Sequence, residues 1–526
     1  MHALAARCAR IIMDPLSAAL ESRIATQAPA LSVRLPTGRW LGATNARVRL
    51  AFRSWVALAH LVSGQIGRLA EDHVQGRVEL AGSMRDAVEA AAALLDADPT
   101  RGQRVGPLTA WRSRWRHTQA ADARQVQYHY DVSDEFYALW LDPRRVYSCA
   151  YWPAGTDDLA AAQQAKLDLV CRKLMLRPGE RFLDVGAGWG ALLLWAAEHY
   201  GVQATGITLS RNQHAHVSRL IGERGLTGRV HIELLDYRAL PEQQPFDKIA
   251  SIGMFEHVGR AYLGTYFEKL YRLLAPGGLL MNHGITAGGT GHHQLGAGIG
   301  DFVERHIFPG GELVHVAPVI EAMADAGWET VDVENLRPHY ARTLWAWSDA
   351  LEAQLDAART LTSANTLRAW RLYLAGSAMA FERGWMALHQ ILAARPTGRV
   401  EDGPMRGAQS AYPFTRDHLH KDRVAMLYKF KSKAAGDVIM LGPNGDQVMR
   451  VIGREPAAKG IFEVADMPRL ISALEQAVAT DDERKPDGDE APSGKGDGVS
   501  LRQRVWPLVE MLRRCHAARE VITWGV

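Results

Sequence analysis

From Arg181 onward, short apolar runs alternate with longer stretches in which apolar side chains return every three or four positions. The short runs read as buried strands and the periodic stretches as amphipathic helices. In order they predict a strand over 181–185, a helix over 188–200, a strand over 202–207, a helix over 211–224, strands over 229–234 and 246–252, a helix over 261–274 and a strand over 278–285, the last fed by a turn at Pro276-Gly-Gly278. Strands separated by helices of these lengths pair in parallel through right-handed crossovers, so the fold class expected is α/β with a doubly wound sheet. A helix near 317–326, a strand near 328–336 and two long helical stretches, 338–359 and 363–394, complete this block.

The flanks carry different patterns. Residues 1–30 read as a helical leader in which Met13 is an alternative start. Leu31 to Leu50 alternates apolar and polar residues around Pro36-Thr-Gly38, the sign of a hairpin, and helical periodicity follows over 55–70 and 83–95. This is enough for a small α+β domain with no visible chemistry. After Pro396 the composition shifts: residues 397–422 read as a connector, Val424 to Lys431 starts a fresh strand, and 437–451 reads as a hairpin turning at 442–445. A helix over 465–478 and another over 501–520 flank 480–498, which offers no large apolar side chain to bury and is expected to be disordered. The expected division is 1–105 for an N-terminal domain, 106–160 for a basic linker and aromatic lid, 161–396 for the doubly wound domain, 397–423 for a linker and 424–526 for a small α+β C-terminal domain.

Composition narrows the functional classes. A chain of 526 residues exceeds one core, and 47% hydrophobic with 23% charged residues is the balance of a soluble globular protein. A net charge of +3 gives no reason to expect nucleic acid. No run approaches the roughly 20 apolar residues of a membrane span, and no export signal is expected at the N-terminus. Cys8, Cys149, Cys171 and Cys515 are scattered without metal-ligand spacing or a disulfide framework, so no metal is expected and a reducing cytoplasm is the simplest setting. Between Arg101 and Ala121, five arginines interleave with Trp111 and Trp115 without an acidic residue, which suits either an anionic lipid surface or a solvated basic linker.

The chemistry concentrates at strand ends. Phe182-Leu-Asp-Val-Gly-Ala-Gly-Trp-Gly190 turns an apolar strand abruptly into a helix, with Asp184, Gly186, Gly188 and Gly190 spaced D-x-G-x-G-x-G rather than G-x-G-x-x-G. That spacing is similar to the motif of S-adenosylmethionine (SAM) methyltransferases. At the second strand end, Thr208, Leu209, Ser210 and Gln213 offer neutral groups for ribose hydroxyls. At the third, Asp236 and Tyr237 stand where an adenine would lie. Glu256 and His257 follow the fourth strand and His283 ends the fifth, so they cluster where a transferable methyl would point. A satisfied core histidine beside its carboxylate partner is the bland alternative. Tyr128 to Tyr137 and Tyr147-Ser-Cys-Ala-Tyr-Trp152 are dense in aromatic residues and suggest a lid.

Residues from about 30 to 395 resemble the cyclopropane-fatty-acyl-phospholipid synthases, through Tyr128-His-Tyr-Asp131, Tyr147 to Trp152, Leu183 to Gly190, Gly206-Ile-Thr-Leu-Ser210, Phe255-Glu-His-Val-Gly259 and Phe308-Pro-Gly-Gly311. The resemblance implies a class I SAM-methyltransferase fold with a cofactor site at Tyr147, Ser148, Asp184, Gly186, Gly188, Gly190, Thr208, Leu209, Ser210, Gln213, Asp236 and Tyr237. It implies methylene transfer to the cis double bond of an unsaturated phospholipid at the membrane surface, on the cytoplasmic side. The base would be a bicarbonate held by Cys149, Glu256, His283, Ile285 and Tyr340. It also implies an accessory N-terminal domain serving dimerisation and membrane docking. Cys149 reads as an anion ligand or packing residue rather than a nucleophile, and Ser377 replaces a cysteine found in some relatives. The tail resembles a small bacterial domain of unknown function whose free-standing form would begin near Met426. A methyltransferase making methyl-branched lipids or acting on a small molecule, and a lipid- or partner-binding scaffold without turnover, are the competing readings.

Overall fold

The computed structural model describes residues 17–95, 99–100, 133–290, 294–397, 416–420, 428–440, 445, 448–449, 451–454, 459–483 and 501–524. Met13, the arginine and tryptophan stretch 101–121, the Tyr128-His-Tyr-Asp131 motif, most of the connector, Met426 and the expected domain boundaries near 105 and 423 lie outside the described residues. The chain divides into two units, Met1–Phe414 and Thr415–Val526.

In the first unit, a helix over 17–27 precedes β1 (Leu31–Arg34), β2 (Trp40–Gly42), β3 (Val48–Phe52) and β4 (Val78–Ala81), which form one sheet in the order β2-β1-β3-β4. The expected hairpin is present, with Val33 opposite Leu41. The helix expected over 55–70 is instead two helices, Trp55–Val62 and Ile66–Val74, because Gly64 takes φ 68° between them. Ser83 caps the next helix, Met84–Ala93, by accepting from the Asp86 N–H at 3.1 Å.

The central sheet contains β5 (Arg181–Val185), β6 (Gln203–Thr208), β7 (Val230–Leu234), β8 (Phe246–Ile252), β9 (Leu274–Ala287), β10 (Glu329–Asn335) and β11 (Met386–Ala394), in the order β10-β11-β9-β8-β5-β6-β7. From β7 through β9 neighbours are parallel, whereas β11 runs antiparallel between β9 and β10. The doubly wound α/β expectation therefore holds, with apolar clusters on both faces of the sheet.

In and around the central sheet, four expected elements are corrected. The helical stretch 363–394 ends at Glu382, Gly384 takes φ 73°, and residues 386–394 are β11. Met386-Ala-Leu-His-Gln-Ile-Leu-Ala-Ala394 is rich in helix formers, but pairing on both edges and nearly complete burial decide its conformation. The stretch 338–359 is likewise two helices, Arg337–Ala353 and Leu355–Leu361. The helix expected from 188 starts at Ala191, after the glycine turn, and β9 begins at Leu274 rather than 278.

The second unit holds β12 (Tyr428–Phe430), β13 (Val438–Met440), β14 (Gly460–Phe462) and β15 (Ile522–Trp524), with helices Met467–Glu483 and Leu501–Ala518. β12 pairs with β13 and β14 with β15, both antiparallel. The hairpin expected over 437–451 is not formed: residues 448–449 and 451 are helical, and β13 turns back onto β12 instead. The helix reaching Glu483 also shortens the segment expected to be disordered, whose remainder lies outside the described residues. Phe430, Phe462 and Trp524 stack in its core, which is why short strands with little pairing hold together.

Candidate active site

β5 pairs with β6 on one side and β8 on the other, so the crevice of this sheet opens beyond the carboxyl end of β5. The turn there is left-handed three times over, with φ of 78°, 55° and 81° at Gly186, Gly188 and Gly190. A Cβ at Gly190 would stand 2.8 Å from Val217 Cγ2, so the glycine also lets the helix Ala191–Tyr200 approach its neighbour. Beside the turn lies a cavity of about 160 Å³ walled by Tyr147, Ser148, Asp184, Gly186, Gly188, Thr208, Leu209, Gln213, Asp236 and Tyr237, among others. Gly190 and Ser210 stand back from that wall. Ser210 instead caps the helix Arg211–Glu223, its Oγ accepting from the Gln213 N–H at 3.3 Å.

The polar groups of this cavity are not equivalent. The Thr208 hydroxyl donates to Gln213 Oε1 at 2.8 Å, which leaves the buried Gln213 Nε2 without a partner among the described residues. Asp236 is already engaged: Oδ1 accepts from the Arg238 N–H at 2.9 Å and Nε–H at 2.8 Å. Burial raises the Asp184 carboxyl to about 7, against the pull of the Lys166 ammonium. Burial lowers Lys166 to about 8, with Cys149, Asp142 and Asp184 opposing the shift. Lys166 Nζ donates to Ser148 Oγ at 2.9 Å. A positive ligand beside Asp184 would favour its ionised form.

Tyr147, Ser148, Gly253 and His257 belong both to this wall and to that of a second, larger cavity of about 290 Å³. The second wall brings together Cys149, Glu256, His283, Ile285 and Tyr340, which come from four separate elements or loops, His283 and Ile285 sharing β9. The Ile285 N–H donates to Glu256 Oε1 at 2.6 Å, whereas Oε2 is buried without a partner among the described residues. Burial raises Glu256 to about 7. Gly284 permits this approach, since a Cβ there would strike the Phe255 ring and lie 2.8 Å from both Glu256 carboxylate oxygens. His283, 1% exposed, accepts or donates at Nδ1 with Gln390 Nε2 at 3.1 Å, and its Nε2 has no partner among the described residues. Burial and the nearby positive charges of Lys166 and Lys173 push its pKa well down, so the ring is neutral. The Cys149 thiol donates to Ala150 O at 3.1 Å, and burial pushes its pKa up, which makes it a poor source of thiolate. Tyr340 is packed against Phe381, ring centroids 4.7 Å apart.

Most of the rest of this cavity is apolar and drawn from two regions. Leu69, Ala70, Val88 and Ala91 come from helices of the N-terminal domain, and Phe302, Leu372 and Phe381 from helices around the central sheet. Behind Tyr147 stands an aromatic cluster of Tyr137, Trp140, Trp347 and Trp370. Among the described residues, no group of three His, Cys, Asp or Glu side chains could hold a metal ion, and no helix is long and apolar enough to cross a membrane.

Sequence reasoning passed over Lys166, Lys173, Gln390 and the N-terminal wall. A signal for the lysines existed: Ala162, Lys166, Leu169 and Lys173 recur at helical spacing on the buried side of Leu159–Lys173, and a buried lysine needs a partner. Gln390 was hidden because its strand read as helix.

The model of the Mycolic acid cyclopropane synthetase family matches residues 117–391, and a Domain of unknown function (DUF1840) matches residues 426–524. A probable fatty acid methyltransferase of Pseudomonas putida is 44% identical over 364 residues, covering 69% of this chain and 89% of that protein. Cyclopropane mycolic acid synthase 1 of Mycobacterium tuberculosis is 38% identical over 274 residues, covering 51% of this chain and 95% of that protein. The crystal structure of mycolic acid cyclopropane synthase CmaA1 complexed with SAH and CTAB is 37% identical, covers 52% of this chain and 98% of its own, and has a TM-score of 0.49. The central sheet has the class I SAM-methyltransferase architecture, with small additional domains at both ends of the chain. With a family model over more than half its length and a relative matched over most of that protein, the chain belongs to the mycolic acid cyclopropane synthetase family.

Proposed function

We propose that this protein transfers a methylene group from SAM to the cis double bond of an unsaturated phospholipid acyl chain, closing a cyclopropane ring. The observation that carries the reading is the junction of the two cavities: a polar chamber at the glycine turn meets an apolar one at Tyr147, Ser148, Gly253 and His257. Among the described residues, buried polar atoms of Glu256 and His283 stand unpartnered in the second wall. The names of the relatives place fatty acids and mycolic acids among the substrates of those proteins, which supports an acyl chain here.

When bound, SAM would supply an electrophilic methyl, and bicarbonate would supply the base for one proton of that methyl as the ring closes. The residues present fit both groups. Asp184, the glycine turn and the free Gln213 Nε2 suit a polar, positively charged nucleoside. Glu256 Oε2 is a free acceptor for a hydroxyl, and His283, with Tyr340 beside it in the wall, suits an oxyanion. Charged groups act strongly in such a water-poor chamber, because little solvent screens them. The apolar wall also keeps water from capturing a carbocation as an alcohol. Tyr147, backed by Trp140 and Trp347, presents an aromatic ring where positive charge develops.

The substrate would be drawn from the cytoplasmic face of a membrane. Trp40, Trp55 and Val56 of the N-terminal domain are 38%, 41% and 64% exposed, and they offer apolar groups for that contact.

The test is incubation of the full chain with vesicles of a monounsaturated phospholipid, methyl-labelled SAM and bicarbonate, followed by mass spectrometry of the lipid. The expected product gains one CH2 and keeps no double bond. A labelled lipid that retains its alkene would replace ring closure by simple methylation, and an unlabelled lipid would remove the reading altogether.

A further inference from the structure

Three strands line up a row of polar side chains. The register sets Glu334 of β10 opposite Gln390 of β11, and Gln390 opposite His283 of β9. Residues directly opposite one another share a face of the sheet. Lys173, the last residue of the helix Leu159–Lys173, reaches onto that face. Its Nζ pairs with Glu334, lies 3.7 Å from Asp332 and donates to Gln390 Oε1 at 2.7 Å.

This row fixes a proton. An ammonium has only donors, so the atom of the Gln390 amide that faces Lys173 is its oxygen, and the amide NH2 faces His283. The NH2 has only donors in turn, so His283 Nδ1, 3.1 Å away, accepts and carries the lone pair. The proton of the neutral ring then sits on Nε2, the atom left without a partner among the described residues. Gln390 is fully buried, so bulk solvent does not compete for its amide.

We propose that Gln390 is a positioning residue: anchored by Lys173, it holds His283 as the Nε2–H tautomer, so that the chamber beside Glu256 presents a donor to an oxyanion rather than a second lone pair. The consequence for turnover rests on the function proposed above, whereas the tautomer does not.

The test therefore has two readouts on the full chain. In protein labelled with ¹⁵N-histidine, two-bond ¹H–¹⁵N correlation reports the tautomer of His283, identified as the signal lost in His283→Asn. The wild-type protein is expected to show Nε2–H. In Gln390→Glu, a carboxylate of nearly the same shape keeps the Lys173 contact but accepts from Nδ1–H. It is expected to flip the tautomer and to lower kcat about 100-fold while SAM Kd stays within about twofold, the range for an outer residue that orients a ligand. Lys173→Met, which frees the amide to rotate, is expected to lower kcat by about tenfold and to give both tautomers. An Nδ1–H signal from His283 in the wild-type protein overturns the inference, whatever Gln390→Glu and Lys173→Met do. So does Gln390→Glu with unchanged tautomer and kcat. A wild-type protein that shows Nε2–H but leaves the vesicle lipid unlabelled sinks the proposed reaction and leaves the tautomer standing.

Discussion

The two cavities that meet at Tyr147 are built on opposite plans. The smaller one is made by short-range geometry: a strand ends, three glycines turn the chain, and Asp184, Thr208 and Asp236 stand at successive strand ends in the parallel part of the sheet. The larger one is made by long-range packing. Its polar end joins Glu256 after β8 to Ile285 on β9, and its apolar length joins helices of the N-terminal domain to Phe302, Leu372 and Phe381. The first plan suits a ligand recognised by hydrogen bonds at fixed points. The second suits a flexible apolar chain brought to one reactive spot. The difference teaches where each part can be broken: changes in the second cavity should leave the first intact, since they share only a narrow border.

Glu256→Gln should show this separation most strongly. The amide keeps the shape and can still accept from the Ile285 N–H, but it presents no carboxylate to the chamber. Turnover is expected to fall by about a thousandfold, within the range for loss of an acid/base group, while SAM Kd measured by calorimetry changes less than about twofold. Turnover near the wild-type rate would show that the unpartnered oxygen has no part in the chemistry.

The pH dependence should divide between the cavities in the same way. Glu256 is raised to about 7 by burial and would act as an acceptor in its ionised form. At saturating SAM, kcat is expected to fall about tenfold per pH unit well below that value, roughly fiftyfold between pH 7 and pH 5. Asp184, also raised to about 7, and its neighbour Lys166, lowered to about 8, belong to the wall of the smaller cavity and are expected to appear in the KM for SAM instead. Stability moves the other way. Both carboxyls bind protons more tightly folded than unfolded, so from their ordinary values near 4 up to about 7 the folded state loses stability as pH rises. A kcat profile flat between pH 5 and 7 would detach Glu256 from the rate.

The same contrast explains how much was legible in the sequence. The D-x-G-x-G-x-G turn, Thr208 and Asp236 could be placed because each lies within a few residues of a strand end whose apolar run is unmistakable. Residues 386–394 could not: Ala, Leu and Gln favour a helix, and only the partners β9 and β10 make them a strand. With that strand misread, Gln390 had no reason to meet His283 or Lys173. Asp236 stands in the cavity wall at its strand end, and the Arg238 two residues on, which donates to its carboxylate, is a partner that strand-end spacing alone does not predict. The N-terminal wall was invisible for another reason. Ala, Val and Leu on a helix face look the same whether they cover a core or line a chamber.

That wall offers the mildest test. Ala91, half-buried near the end of the helix Met84–Ala93, borders the apolar cavity far along the sequence from Glu256 and from every residue of the smaller cavity. In Ala91→Trp the added ring can enter open space rather than a packed core, so the overpacking cost should stay at the low end of about 1–3 kcal/mol. An acyl chain that reaches the wall should lose room, and a shorter one should not. With vesicles of paired short-chain and long-chain monounsaturated phospholipids, the ratio of short to long product is expected to rise by about tenfold, the discrimination that one or two methylenes command in an apolar pocket. SAM Kd and turnover on the short chain should stay near the wild-type values. An unchanged product ratio in a folded, active variant would confine the acyl chain to the helices around the central sheet, and the N-terminal domain would then face the chamber without shaping what enters it.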